Sequence, residues 1–259
     1  MSDEHVKWSD EHQERGIDYF KVRGLVFDQE TKNAIDELID RKVIWKLGRV
    51  ISAGKEALVF HALTRNGEER AVKIYKSLTA SFKKRDMYFR TFRDRLRKSI
   101  ISKTVEWAKK EFKFLTIAHK YIRAPQPYAL RRNVLVMEFV GRDGEAAPLI
   151  KDAQVKSPTE TGNKIITGII ELFKNGGVIH ADLSEFNILY FENEPVVIDW
   201  GQAVASSHPR ADFLLFRDIV RIVTYFRSIG GEVPDPRTIF KECTGHEPSY
   251  SIITEVGYF

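Results

Sequence analysis

Apolar residues at helical spacing first appear behind Asp28. Ala34, Ile35, Leu38, Ile39 and Val43 line one face, and the aspartate is placed to cap the helix start. Residues 1–27 carry no comparable pattern. The period then changes from helix to strand. Runs rich in β-formers predict strands over 45–51, 57–63 and 70–75, the last two joined by a tight turn at Asn66-Gly67. Val105, Ala108, Phe112, Leu115 and Ala118 restore a helical stripe that Thr104 is placed to cap. A second hairpin is expected over 128–131 and 134–140, turning at Arg132-Asn133, and Gly141-Arg-Asp-Gly144 reads as a linker. Ser157-Pro158-Thr159-Glu160 has the form of a capping box ahead of Ile165, Ile166, Ile169, Ile170 and Phe173, with Gly176-Gly177 as the stop. A third hairpin, 188–191 with 196–198, flanks Glu192-Asn193-Glu194. Phe213, Phe216, Ile219, Val220, Val223 and Phe226 mark a helix from Asp212 to Gly230-Gly231, and Asp235-Pro236 opens a last short one. Strands crowd the first half and helices the second, so the expected class is α+β.

Composition adds bounds. The 259 residues, 43% apolar and 30% charged, fit one large or two small globular domains. No apolar run approaches spanning length and the polar start Met-Ser-Asp-Glu-His is no signal peptide, so no membrane association and a cytoplasmic location are expected. A single cysteine, Cys243, excludes an internal disulfide and fits a reducing compartment. The net charge of +5 is unevenly spread: residues 83–113 hold twelve Lys and Arg against four Asp and Glu, with Phe82, Tyr88, Phe89 and Phe92 interleaved. Two readings of this block stand side by side. It contacts nucleic acid by phosphate neutralisation and stacking, or it is a solvated helix and loop whose aromatics pack inward.

The chemistry gathers around the third hairpin. A polar loop enters it and a lone carboxylate leaves it, so Asp182, Asn187 and Asp199 can aim three oxygen-bearing groups at one point. Hard oxygen ligands suit Mg²⁺, with Mn²⁺ as a substitute, and Mg²⁺ suits phosphate. A carboxylate beside the metal ligands can orient a hydroxyl or a water. The turn Ser52-Ala53-Gly54-Lys55-Glu56-Ala57 has the small residues that let backbone N–H groups approach a phosphate, although an ordinary hairpin turn reads the same way.

These stretches also carry a resemblance. His180-x-Asp182-x4-Asn187 matches the protein-kinase catalytic loop and Asp199-Trp200-Gly201 its metal-binding turn. Ser52, Gly54, Ala57 and Val59 stand where kinases keep a glycine-rich loop, and Ala71-Val72-Lys73 resembles the Val-Ala-Ile-Lys strand. The wording His-Ala-Asp-Leu-Ser-Glu-Phe-Asn, the segment 52–57, and Asp-x-Gly-Gln-Ala-Val from Asp199 resemble the RIO family of atypical serine/threonine protein kinases, in its type-one branch, over roughly residues 45 to 230. Short tails make the chain similar to a minimal, archaeal-like member.

The resemblance implies a two-lobed protein-kinase-like fold with a truncated C-lobe, lacking the activation segment and the peptide-docking helices. The implied division is an accessory helical segment over 1–43, an N-lobe over 44–140 and a helical C-lobe over 141–259. The N-lobe would include a basic flexible insertion at about 76–103 and the Glu111 helix. ATP would lie in the interlobe cleft. Lys73, held by Glu111 rather than by Glu106, would reach the α- and β-phosphates, and residues Ser52, Ala53, Gly54, Lys55, Glu56 and Ala57 would cover them. Ile51, Val59, Ala71 and Leu189 would face the adenine. Met137 and Glu138, with Val140, would form the hinge, through the carbonyl of Glu138 and the N–H of Val140. Asn187 and Asp199 would hold the metal, and Asp182 would orient the attacking hydroxyl.

Two departures bear on mechanism: Ala181 replaces the Arg of His-Arg-Asp, and Ser184 replaces the Lys two positions after the catalytic Asp, removing a counter-charge. The implied activity is Mg-ATP-dependent phosphorylation of serine or threonine, including autophosphorylation, in small ribosomal subunit maturation. The basic block would contact ribosomal RNA or the pre-40S/30S particle. The protein acceptor is unknown from the sequence. An ATPase switch acting through a transient phosphate on Asp199, and a small-molecule kinase of the aminoglycoside type, remain as alternatives.

Overall fold

The computed structural model describes residues 27–76 and 90–258, with the backbone alone over 90–102. Residues 1–26, and the part of the basic block within 77–89, lie outside the described residues, as do the side chains of 90–102. The chain divides into two compact units, Met1–Lys110 with Pro127–Phe139, and Glu111–Gln126 with Val140–Phe259.

The first unit is a five-stranded antiparallel sheet backed by one helix. Helix α1 (Gln29–Asp40) begins where Asp28 accepts the Thr31 N–H at 2.8 Å. Strands β1 (Lys46–Ala53), β2 (Ala57–Leu63), β3 (Glu69–Tyr75), β4 (Pro127–Arg131) and β5 (Val134–Glu138) take the order β1-β2-β3-β5-β4. Strand alternation splits their side chains between two faces. Leu58, Phe60, Ala62, Val72, Ile74, Val134 and Val136 bury one face against Ala34, Ile35 and Leu38 of α1. Asn133 pins the assembly from inside, since its amide donates to the Thr31 hydroxyl at 3.0 Å and to the Tyr75 carbonyl at 2.9 Å.

Helix α2 (Arg90–Ala118) corrects one expectation. Thr104 is no N-cap: it is buried mid-helix, and residues 90–103, assigned to a flexible insertion, are helical. Those residues contain neither glycine nor proline, so nothing stops the helix from extending back through them.

The second unit is mainly helical. The expected linker forms a small hairpin, β6 (Gly141–Arg142) with β7 (Glu145–Ala146), turning at Asp143-Gly144. Helix α3 (Pro158–Glu171) buries Ile165, Ile166, Ile169 and Ile170. The capping box does not form. Ser157 makes no side-chain cap bond, and Glu160 instead reaches Lys164 at 3.1 Å. A π turn over Leu172–Gly176 then rotates the stripe, so Leu172 is buried where Phe173 was expected. Strand β8 (Val178–Ile179) precedes the hairpin β9 (Ile188–Phe191) and β10 (Glu194–Val197). Glu192 and Asn193 both have positive φ, which makes the hairpin loop two residues long rather than three. Strand β11 (Val204–Ala205) returns to pair with β8, a contact the sequence pattern did not suggest. Helix α4 (Ala211–Ser228) follows after residues 206–210, and α5 (Pro236–Thr244) and α6 (Tyr250–Val256) pack onto it. Asp235 caps α5 as expected, accepting the Arg237 N–H at 2.9 Å, while α6 was not anticipated.

Gly168 lets α3 meet the chain after α2. A Cβ there would stand 2.5 Å from Ile122 Cγ1 and 3.0 Å from its Cβ. Gly168→Ala should therefore destabilise the protein by about 1–3 kcal/mol, outweighing the ~1 kcal/mol gained in helix propensity. Urea unfolding measures the balance, and a more stable variant would refute this packing.

Candidate active site

In the first unit, the sheet face opposite α1 carries the expected nucleotide residues. Val59 pairs with Lys73, Lys73 with Leu135, and Ala71 with Met137, so Val59, Ala71, Lys73 and Met137 share that face. The Lys73 ammonium lies 5.4 Å from the Tyr75 ring. Glu138 points to the other face, in register with Arg70, so the carbonyl rather than the side chain is its relevant group. At the sheet's end, residues 52–56 are exposed and Ile51 and Val59 are half-buried. The turn closes with Gly54 N–H donating to the Ala57 carbonyl at 3.0 Å. Lys76 then moors it to β3, its N–H bonding the Glu56 carbonyl at 2.8 Å and its ammonium the Gly54 carbonyl at 2.6 Å.

In the second unit, backbone bonds gather the catalytic and metal-binding candidates. The Asn187 amide nitrogen donates to the Asp182 carbonyl at 2.8 Å, which directs the amide oxygen elsewhere. Ile198 N–H donates to the Asn187 carbonyl at 2.9 Å, extending the β9–β10 ladder by one rung and setting Asp199 just beyond it. His180 bonds the Ile198 carbonyl at 3.0 Å and meets Trp200 edge-on at 4.7 Å, so it braces the loop. Asp182, Asn187 and Asp199 thus belong to one bonded constellation. Leu189 and Val140 meet in an apolar cluster with Ala147 and Val196. Glu111 is buried, at 1% exposure, on α2, whereas Glu106 is exposed. Glu111 belongs to the second unit and Lys73 to the first.

The donor set suits Mg²⁺. Among the described residues no three His, Cys, Asp or Glu side chains form a metal cage. Asn187 and Asp199 offer two hard oxygen donors, which matches an ion that keeps waters and takes its remaining ligands from phosphate.

Helix α4 supplies what the sequence reading missed. Ala181 has φ of +64°, strained for a residue with a Cβ. Both of its peptide groups are gripped: Asp218 Oδ2 accepts its N–H at 2.7 Å, and Arg217 donates to its carbonyl at 2.5 Å. Arg221, one turn further along, donates to Asp182 Oδ1 at 3.2 Å. A signal for this existed. Asp218 falls among Leu215, Ile219 and Ile222 on the buried stripe, where an acid needs a partner.

Comparison with known proteins fits this geometry. The family model described as the RIO domain matches residues 58–239. The chain belongs to the RIO family. RIO-type serine/threonine-protein kinase Rio1 of Methanocaldococcus jannaschii is 36% identical over 240 residues, covering 92% of the chain and 82% of that protein. Serine/threonine-protein kinase rio1 of Dictyostelium discoideum is 41% identical over 212 residues, covering 78% of the chain but 36% of that longer protein. Among solved structures, the Rio2 kinase from Chaetomium thermophilum, as an ADP/Mg²⁺-phosphoaspartate complex, superposes with a TM-score of 0.63 at 24% identity, over 87% of the chain and 70% of that structure. The RIO fold is therefore the kinase-like α+β architecture expected from the sequence, and membership places the chain in the kinase class of enzymes. Among the described residues no helix is long and apolar enough to cross a membrane.

Burial pushes the Asp218 carboxyl up from its ordinary 3.8 to about 7, although Arg217, the N–H groups of Ala181 and Leu183, and Arg221 pull it down. Between those values the native state keeps a proton that the unfolded chain has lost, so this group's contribution to stability falls as pH rises from about 4 to 7. Asp218→Asn removes that slope. Its melting temperature relative to wild type should therefore rise across the window, and a pH-independent difference between the two would contradict the assignment.

Proposed function

We propose that this RIO protein transfers the γ-phosphoryl group of Mg-ATP to a serine or threonine hydroxyl on a protein, itself included. The observation that carries the reading is the bonded constellation of Asp182, Asn187 and Asp199 in a chain whose relatives are named serine/threonine-protein kinases. In this proposal Lys73, steadied by Glu111, contacts the α- and β-phosphates, and the turn from Ser52 to Ala57 covers them through backbone N–H groups. Ile51, Val59, Ala71, Met137 and Leu189 flank the adenine, and the Glu138 carbonyl and Val140 N–H meet its edge. Asn187 and Asp199 hold the metal, which when bound neutralises charge on the phosphates.

Asp182 accepts a hydrogen bond from the acceptor hydroxyl and aims its oxygen at the γ-phosphorus. The new P–O bond forms as the bond to the β–γ bridging oxygen breaks, ADP leaves, and the hydroxyl proton passes to Asp182 and then to water. Asp182 works chiefly by orientation. We place its role in small ribosomal subunit maturation, where the basic block over 83–113 would supply electrostatic attraction to RNA.

A second reading is favoured by the phosphoaspartate named in the Rio2 complex. Here Asp199 takes the phosphoryl group and water later releases it, making the protein an ATP-driven switch. Acid-stable phosphoserine or phosphothreonine on a partner supports the first reading. ADP release with only an alkali-labile, hydroxylamine-sensitive phosphate supports the second.

Asp182→Ala should lower turnover by about 10²-fold or more while nucleotide affinity stays within a few-fold. Asp199→Ala should weaken both Mg²⁺-dependent nucleotide binding and turnover. Calorimetric titration with Mg-ATP and an ADP-release assay separate these effects, and full activity in Asp199→Ala would sink the metal assignment.

A further inference from the structure

We infer that Arg221 replaces, from helix α4, the positive charge that the catalytic loop lacks at Ser184. This rests on the kinase reading above. Phosphoryl transfer spreads negative charge over the oxygens of the migrating group, and a site made largely for positioning needs fixed cations close to it. The loop contributes none at Ser184, whose hydroxyl instead accepts the Phe186 N–H at 3.4 Å. Arg221 Nη1 lies 3.2 Å from Asp182 Oδ1, on the carboxylate that aims the acceptor hydroxyl.

Stability does not account for this pair. The two side chains are 41% and 51% exposed, and an ion pair so wet contributes little to folding. Location gives it a use. Whatever hydroxyl Asp182 orients, the phosphorus it attacks must come within a few ångströms of that carboxylate. A guanidinium has five donors in a planar fork, and one bond to Asp182 leaves others for phosphoryl oxygens. Arg221 sits one helical turn from the buried Asp218 in the same helix, so the element that grips Ala181 also carries the guanidinium. It therefore holds the Asp182 carboxylate in one orientation and keeps a cation beside the point of transfer.

The test uses the full chain, with ADP release, KM for Mg-ATP and melting temperature measured for wild type, Arg221→Met, Arg221→Lys and the double variant Arg221→Met/Ser184→Lys. Arg221→Met should lower kcat by about 10²-fold with KM for ATP within about twofold and an unchanged melting temperature. Arg221→Lys should retain part of the rate. The double variant should recover much of it, because charge returns to the loop without restoring any tie to α4. Wild-type kcat in Arg221→Met, or a double variant as slow as the single one, overturns the inference. Should wild type release no more ADP than Asp182→Ala, it is the kinase reading that fails, and the two failures are told apart.

Discussion

Ala181 holds a left-handed backbone conformation that a residue with a Cβ avoids, because α4 grips it from both sides. That grip sets the course of everything after it in the second unit. It fixes the peptide next to Asp182, and Asp182 in turn receives the amide of Asn187. Asn187 receives the N–H of Ile198, and Ile198 receives His180. A chain of hydrogen bonds, alternating side chains with backbone groups, therefore starts at a buried acid and ends one residue from Asp199. The acid is costly to bury, and its raised proton affinity records that cost. Its retention is understandable where strain at one residue positions three others.

The first unit relies on parity. One face of its sheet is committed to α1 by seven apolar side chains, and the alternate residues form a second face on which Ala71 and Leu135 are buried and Ala57 and Tyr75 cluster with Ala108 of α2. Val59, Ala71, Lys73 and Met137 occupy the face left over. A shift of one residue in the pairing of β2 with β3 would exchange the two sets, which makes the packing against α1 the safeguard of the opposite face.

Much of this was legible in the chain, and the reasons are physical. Asp28 and Asp235 cap as their positions suggested, each giving one carboxylate oxygen to a first-turn N–H, and Asp235 still accepts the Tyr258 hydroxyl at 2.7 Å through its other oxygen. Thr104 misled because a cap residue says nothing when the sequence before it is equally helical. Ser157-Pro-Thr-Glu has the letters of a capping box, but Glu160 finds Lys164, and Thr159 accepts the N–H of Glu232, a partner distant in sequence. Asp182, Asn187 and Asp199 could be singled out because turn, spacing and residue type agree. The role of Asp218 could not be read the same way. Its partner is a backbone N–H 37 residues away, and main-chain groups leave no mark in a sequence.

The two-residue ladder between β8 and β11 bears on how this protein can change. It ties the chain just before His180 to the chain just after Ala203, so the catalytic and metal-binding loops form a closed lariat with touching ends. Segments outside a knot of that kind can be shortened, extended or exchanged with little disturbance to what it encloses. Helix α6 lies outside it, buries none of its own residues and is open to remodelling, whereas α5, also outside, sets Ile239 and Phe240 in the core. Nor is helix α4 open to it, because the lariat is fastened there.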